Sequence, residues 1–423
     1  MSHSMAPPDT GPVPIVAHPG RSDRTPAIEV RHLTKIYGQR GGAKGWSRGK
    51  GAGATHKPAA KDVEFTVGEG EFFVIMGLSG SGKSTVLRML NRLVEPTSGE
   101  ILLDGKDIVE MADPELRAVR NRKINMVFQH FALFPHRTVR ENAAYALHVR
   151  KEGAAARTER ANWALETVGL GEWGDSLPGE LSGGMRQRVG LARALASDAD
   201  ILLMDEPFSA LDPLIRRDMQ ELLIKLQAEL RRTVVFVTHD LNEAMRLGDR
   251  IMIMRQGEVV QLGTATEILE SPADDYVREF ISDVDRSRVL TAGVVMQPPI
   301  AVGRPGDRPS KVLERMNRPG AHAQGAYVLD ADSRILGVVE GEAIAGAVHR
   351  PDARLEDLAR PPLGTIRTET TLSEACTLVG GDCVPLAVLD HEDRLVGVLP
   401  RATLLQAIAT PAASTLEGDR HHA

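Results

Sequence analysis

One run of nine residues constrains this chain more than any other feature. Gly77-Leu78-Ser79-Gly80-Ser81-Gly82-Lys83-Ser84-Thr85 fits the pattern G-x-x-x-x-G-K-[ST]. It follows an apolar, strand-like run, Glu71 to Met76, and precedes an apolar helical stretch, Thr85 to Leu93. The glycines let backbone N–H groups turn inward around phosphate oxygens, and the dipole of the following helix adds to that field. Gly77, Ser79, Gly80, Ser81, Gly82 and Thr85 are the expected cradle for a nucleotide. Lys83 is expected to reach the β- and γ-phosphates, and Ser84 to hold Mg²⁺. The alternative is a Gly/Ser-rich turn formed by chance, which the strand before it and the helix after it disfavour.

Such a loop needs a parallel sheet around it, and the flanking text supplies one. Strand-like runs at Ile124–Phe128, Ile201–Met204, Thr233–Val237 and Ile251–Met254 alternate with helical stretches. That alternation predicts a mainly parallel α/β sheet covered by helices. Ile28 to Tyr37 reads as a first strand, and Asp274 to Leu290 as a helix leaving this domain. Residues 1–26 carry six prolines and read as a disordered tail. Residues 41–57 hold six glycines with Lys44, Arg48, Lys50 and Lys57. They read as a flexible surface insertion, or else as an ordered one that contacts a partner.

Composition removes several classes. With 51 basic against 57 acidic residues, the net charge of −6 argues against nucleic-acid binding through bulk charge. Aromatics are 4%, too few for base-stacking platforms. No run of 18 apolar residues occurs, so no membrane span is expected, and the N-terminus lacks a signal-peptide core. A cytosolic chain is expected, recruited by a partner if it works at a membrane. Cys376 and Cys383 fit a reducing compartment; their spacing is not a zinc pattern, so both read as ordinary, partly buried thiols.

Further chemistry clusters downstream. Ile201 to Met204 runs into Asp205-Glu206, placing two acids at a strand's carboxyl end, where a Mg²⁺ partner and a water-polarising base belong. Leu181-Ser182-Gly183-Gly184-Met185-Arg186-Gln187-Arg188 lies 99 residues after Lys83, counted to Ser182. By itself it is a helix cap with two glycines, which also makes a second anion site. Taken together, these segments resemble the ATP-binding subunits of ABC transporters, with Leu181 to Gln187 as their signature. Gln129 in Val127-Phe-Gln-His-Phe131, Ser209-Ala-Leu-Asp212 and His239 in Thr238-His-Asp240 then match the glutamine loop, D-loop and switch histidine, in the family's order. Tyr37 is a candidate for stacking on adenine or, alternatively, a strand-end tyrosine.

The resemblance, over residues 28–265, implies a P-loop cassette: a mainly parallel sheet, an antiparallel β subdomain and a helical signature subdomain. It implies ATP and Mg²⁺ as ligands, with Ser84, Gln129 and Asp205 around the ion, Asp205 through water. Glu206, His239 and Gln129 would be catalytic. It further implies a head-to-tail homodimer in which Ser182, Gly183, Gly184 and Gln187 act in trans, Asp212 belongs to the D-loop, and a membrane permease is driven. Phe131 to Val139 would lie near that permease.

Within the family, the P-loop and signature segments, Phe208 to Arg216, Asp240 to Arg246 and Asp274 to Arg278 resemble glycine betaine/L-proline importer subunits. That implies osmoprotection, with substrate chosen by the permease and an extracytoplasmic binding protein. A repeat supports this. Val328-Leu-Asp330 with Leu336-Gly-Val338 recurs 60 residues later as Val388-Leu-Asp390 with Val396-Gly-Val398. The helices at Ser310–Met316 and Ser373–Leu378 recur at a spacing of 63. Two small α/β copies packed as a pseudo-dimer are expected, with Arg350 to Pro362 linking them. They resemble a tandem CBS pair, which implies a regulatory ligand or an ionic-strength response, or else a spacing module. The ribose-binding Thr/Ser-x-x-Asp is not found in Gly337–Ala343 or Gly397–Thr403, which argues against nucleotide in the conventional pocket. With thirteen basic and seventeen acidic residues, 291–423 offers no strongly cationic face.

The expected organisation is therefore a tail (1–26), the cassette (27–265), a helical linker (266–290), two CBS repeats (291–349 and 350–409) and a flexible tail (410–423). Competing expectations are an amino-acid or methionine importer subunit, a non-transport ABC ATPase acting on DNA or ribosomes, and a subunit that binds ATP without hydrolysing it.

Overall fold

The computed structural model describes residues 25–38, 57–128, 132–209, 211–282, 284–299, 301–317, 324–350, 352–362, 364–379 and 384–409. The expected tail up to residue 24, insertion residues 41–56, Gln129, Phe131, Ala210, Cys383 and residues 410–423 lie outside them.

The chain opens with β1 (Pro26–Lys35), β2 (Ala60–Gly68), β3 (Phe72–Met76), α1 (Lys83–Met89), β4 (Ser98–Leu103) and β5 (Lys106–Asp107). Then follow α2 (Asp113–Arg122), β6 (Ile124–Val127), α3 (Val139–Ala143), α4 (Tyr145–Val149), α5 (Ala154–Thr167) and α6 (Gly183–Ala196). The cassette continues with β7 (Ile201–Asp205), α7 (Pro213–Leu230), β8 (Thr233–Thr238), α8 (Leu241–Leu247), β9 (Arg250–Arg255) and β10 (Glu258–Gly263).

Two sheets result. A six-stranded sheet runs β10-β9-β3-β8-β7-β6, parallel except at β10. A four-stranded antiparallel sheet runs β2-β1-β4-β5. The large sheet is apolar on both faces because its strands are continuous apolar runs and successive side chains alternate sides. Phe73 and Ile75 of β3, with Leu203, Val235 and Met252, face the antiparallel sheet and α1. Phe72, Val74 and Met76, with Leu202, Phe236 and Ile251, face α3, α5, α6, α7 and α8. Phe65 stacks on Phe73 at 5.0 Å between ring centroids, joining the two sheets by a contact worth about 0.5–1.5 kcal/mol beyond burial.

Past the cassette come α9 (Ala265–Glu270) and α10 (Asp275–Phe280), then a single 3₁₀ turn at Arg286–Arg288. The expected helix Asp274–Leu290 is thus broken. Asp274 caps α10 by accepting from Val277 N at 2.8 Å, while Asp285 accepts from Ser287 N at 3.2 Å and opens a second, separate turn. The first strand likewise stops at Lys35, leaving Tyr37 in a turn.

The repeats are α11 (Ala292–Val295), β11 (Val302–Gly303), α12 (Pro309–Met316), β12 (Gly325–Leu329), β13 (Ile335–Glu340) and α13 (Gly341–Ala347), then β14 (Thr365–Arg367), α14 (Leu372–Leu378), β15 (Leu386–Leu389), β16 (Leu395–Leu399) and α15 (Arg401–Ala409). Each copy carries one three-stranded sheet. The sheets meet across an apolar seam containing Tyr327, Leu329, Val338, Ala387, Leu395 and Val398. Arg334 and Arg394, equivalent residues of the two copies, bridge each other, so a pseudo-twofold axis passes between them. The leading arms are exchanged across that axis. Gln297 pairs with Val398 of copy two, and Arg360 pairs with Val338 of copy one. The stretch 350–362 therefore does more than link: Leu355 is fully buried in the core of copy one. Cys376 is exposed rather than partly buried. No helix among the described residues is long and apolar enough to cross a membrane.

Candidate active site

The site lies at the carboxyl ends of β3, β7 and β8, which neighbour one another in the large sheet. Register brings Met76 opposite Thr238 and Asp205 opposite Val237, so the loops that leave these three strands open side by side.

The loop after β3 is shaped by its glycines. Gly77, Gly80 and Gly82 have φ of 146°, 79° and 103°. A Cβ on Gly77 would sit 2.2 Å from Met254 O, and one on Gly82 2.1 Å from Ala59 O, so no other residue fits at either position. Ser79 and Gly80 are exposed, whereas Ser81 and Lys83 are buried. Lys83 Nζ donates to the carbonyls of Gly77 and Leu78 at 2.9 and 3.2 Å, curling back into the loop. Burial lowers the Lys83 pKa, opposed by the nearby Glu206 and Asp205 carboxylates.

These observations test whether a nucleotide fits. A buried ammonium at the mouth of the loop lacks full charge compensation, and Ser81 Oγ is buried without a partner. Both deficits would be met by phosphate oxygens, and the donor set suits a polyphosphate. A divalent ion fits beside it. Ser84 Oγ donates to Asp205 Oδ1 at 2.7 Å, bringing together a hydroxyl and a carboxylate, hard oxygen donors of the kind Mg²⁺ takes.

Arg88 was not anticipated from the sequence. Its Nε and Nη2 lie 3.2 and 2.9 Å from Asp205 Oδ2, neutralising a carboxylate that is 3% exposed. Its signal was present: Arg88 follows Ser84 by four residues, one helical turn on the same face.

Glu206 stands where three elements meet. Its φ of 46° is a left-handed conformation that costs a non-glycine residue free energy. Its N–H donates to Val237 O at 3.0 Å and holds that turn against β8. The carboxylate lies 4.0 Å from Lys83 Nζ, and its Oε2 is 3.0 Å from His239 Nδ1. Lys83, Asp205, Glu206 and His239 are therefore gathered as the sequence reading requires.

Tyr37 is exposed beside the same loop, its Oη 3.4 Å from Thr85 Oγ1 and Lys35 Nζ 5.3 Å from its ring centre. Its ring is half exposed, with Lys35 over it. Ser182 caps α6, its Oγ accepting from Met185 N at 3.3 Å, and Ser182 and Gly183 are exposed. A Cβ on Gly184 would meet Ile215 Cγ2 at 2.6 Å, so this glycine lets α6 start close against α7. Gln187 does not join the exposed group. It is 2% exposed and donates its amide to Pro207 O, tying α6 to the loop after Glu206 within its own chain. Asp212 caps α7, accepting from Ile215 N at 3.0 Å.

Beside the segment Ala132–Val139, on α3, the missed residue is Asn142. Fully buried, it donates to the carbonyls of Phe134, Arg137 and Thr138 at 3.1, 3.1 and 3.0 Å and accepts from Phe134 N at 2.8 Å. One asparagine thus engages four backbone groups, its two N–H donors shared among three carbonyls, and fixes the loop's shape.

Comparison with known proteins agrees with this geometry. A family model described as ABC transporter matches residues 60–209, and one described as CBS domain matches residues 355–410. An AAA-domain model, described as putative AbiEii toxin, Type IV TA system, matches residues 177–246, inside the same cassette. The glycine betaine/proline betaine transport system ATP-binding protein of Salmonella typhimurium is 46% identical over 391 residues, covering 90% of this chain and 97% of that protein. The glycine betaine/carnitine transport ATP-binding protein of Listeria monocytogenes is 44% identical over 389 residues, covering 90% and 97%. A solved dimeric bacterial ABC transporter cassette, MJ0796, is 38% identical with a TM-score of 0.50, covering 56% of this chain and 98% of that one. The chain belongs to the ABC transporter ATP-binding subunits, in the glycine betaine importer family, and carries a CBS domain in its C-terminal region.

Proposed function

We propose that two copies of this chain close on ATP, and that its hydrolysis powers uptake of glycine betaine, L-proline or a related quaternary amine through a membrane permease. The observation that carries this reading is the placement of Glu206 between Lys83, at 4.0 Å, and His239, at 3.0 Å, over a loop built for phosphates. The substrate class rests on the relatives' names.

In this reading Gly77, Ser79, Gly80, Ser81, Gly82 and Thr85 cradle the phosphates and Lys83 pairs with the β- and γ-phosphates. Ser84, Gln129 and Asp205 would hold Mg²⁺, Asp205 through water; the ion would neutralise charge on the phosphate oxygens. Arg88 holds the Asp205 carboxylate in place through two hydrogen bonds. Glu206 accepts a proton from the attacking water, and His239 orients Glu206 and contacts the γ-phosphate. Tyr37 stacks on the adenine. Ser182, Gly183 and Gly184 complete the site in the opposite copy, with Asp212 at the contact, so nucleotide binds the closed dimer better than the open monomer and shifts that equilibrium. The chain then works on the cytoplasmic face of the membrane, with Ala132–Val139 near the permease and an extracytoplasmic binding protein delivering substrate. The CBS pair regulates it by responding to ionic strength or to a ligand.

The test is Glu206→Gln. It removes the proton acceptor and leaves the cradle whole, so hydrolysis should fall by at least about 10²-fold while ATP still drives a stable dimer in size-exclusion chromatography. Undiminished hydrolysis would remove Glu206 from its role, and failure to dimerise with ATP would remove the shared-site geometry.

A further inference from the structure

The loop carrying Asp212 and the loop carrying His239 are joined through a polar cluster, buried at Glu243 and Thr238 and part-buried at Arg216 and Asp240, that the reaction scheme does not use. Arg216, on the first turn of α7, donates from Nη2 to Leu211 O at 3.2 Å and from Nη1 to Asp240 Oδ2 at 3.3 Å. Its Nε lies 3.8 Å from Glu243 Oε1, an ion-pair distance without a hydrogen bond. Glu243 is 4% exposed, and burial raises its pKa. Its Oε2 accepts from Thr238 Oγ1 at 2.7 Å and its Oε1 from Gln220 Nε2 at 3.2 Å. The Thr238 hydroxyl in turn accepts from Asp240 N at 3.0 Å.

Followed residue by residue, these contacts close a ring. Ser209 Oγ donates to Glu206 O at 3.0 Å, Leu211 is held by Arg216, Arg216 meets Asp240 and Glu243, Glu243 holds Thr238, and the neighbouring His239 returns to Glu206 Oε2. A buried carboxylate is costly unless it is hydrogen-bonded, and the bonds of Glu243 to Thr238 and Gln220, with Arg216 at ion-pair distance, favour one arrangement of the loops they join.

We propose that Arg216 is a positioning residue for hydrolysis: through Asp240 and Glu243 it sets the place of His239 against Glu206, and it ties that place to the conformation of the Leu211–Asp212 turn. Contact of that turn with an opposite copy then reaches His239 through Arg216 rather than through the nucleotide. The inference rests on the role proposed above for His239.

Arg216→Met and Thr238→Val break the ring at different points, the second nearly isosteric and without loss of charge. ATP binding and ATP-driven dimerisation, the latter in the Glu206→Gln background, should stay within about twofold of the parent. Single-turnover hydrolysis should slow at least tenfold in both variants, equivalent to about 1.4 kcal/mol in the barrier. Arg216→Lys should recover part of the rate, since an ammonium can serve the two carboxylates but lacks the planar fork that also reaches Leu211 O. Hydrolysis within twofold of the parent in both variants overturns the proposal. So does loss of binding and dimerisation in step with hydrolysis, which marks a merely structural role. If Arg216→Met does not fold, Thr238→Val decides alone. His239→Ala is measured alongside: normal hydrolysis there overturns the His239 reading itself, while slow hydrolysis there with normal rates in the ring variants overturns only this inference.

Discussion

At the scale of single residues, the site is held ready by groups that are costly to the protein without a ligand. Lys83 is buried with its ammonium on two carbonyls and its pKa lowered by desolvation. Glu206 sits in a left-handed turn. The desolvation cost at Lys83 is offset when phosphate arrives. Lys83→Met should therefore melt no lower than the parent without nucleotide, yet lose the rise in melting temperature that ATP gives the parent. In the parent that rise corresponds to about 2.7 kcal/mol at a ligand concentration of one hundred times Kd. Scanning calorimetry with and without ATP checks it; a marked drop in the nucleotide-free melting temperature would show that Lys83 contributes to the fold rather than to the ligand. Legibility at this scale divides by sequence distance. Gly77 to Thr85 is contiguous and could be read directly. The pairing of Arg88 with Asp205 spans 117 residues, and Glu243 with Gln220 spans 23; nothing local to either residue names the other. Gln187 shows the opposite failure: its motif was legible, but the motif does not say that the side chain turns inward to Pro207.

At the scale of elements, the strands were legible because each is a short, continuous apolar run, whereas helix ends depend on single capping groups. Asp285 restarting the chain after α10 is such a case. The repeat was legible from its two spacings, but the exchange of arms was not, because identical spacings result whether each arm covers its own copy or the other. Two equivalent glycines make the exchange possible. A Cβ on Gly337 would lie 2.9 Å from Ala359 Cβ and 3.0 Å from Arg360 O; one on Gly397 would lie 2.5 Å from Met296 Sδ. The first neighbour is backbone and a rigid methyl, the second the end of a flexible thioether. Gly337→Ala should thus destabilise the repeat pair by about 1–3 kcal/mol, and Gly397→Ala by less, despite the shorter contact. Urea unfolding followed by protection of 301–409 in hydrogen exchange checks the order; equal or inverted losses would contradict the exchange as the reason for the glycines.

At the scale of the whole molecule, the cassette and the repeats do not have separate interiors. One buried apolar cluster runs from the helix side of the large sheet through Ile281, Val284, Leu290 and Ala292 into Ile366, Leu372, Val388 and Leu404 of copy two. Copy one keeps its own core around Val312, Val328 and Leu355 and meets copy two across the apolar seam. Sequence reading placed a boundary near residue 290 because composition changes there, yet Leu290 O accepts from Leu372 N at 2.9 Å and the apolar packing passes straight through. Such an arrangement suits a regulatory pair whose state must reach an ATPase. In the function proposed above, ATP hydrolysis at Glu206 drives entry of a quaternary amine osmolyte. The most direct measurement is accumulation of labelled glycine betaine by cells that lack their own uptake systems and carry this chain with its permease and binding protein, at low and high osmolarity, with Glu206→Gln as control. The account predicts accumulation that rises with osmolarity and vanishes in Glu206→Gln. No accumulation while the purified chain still hydrolyses ATP would contradict it.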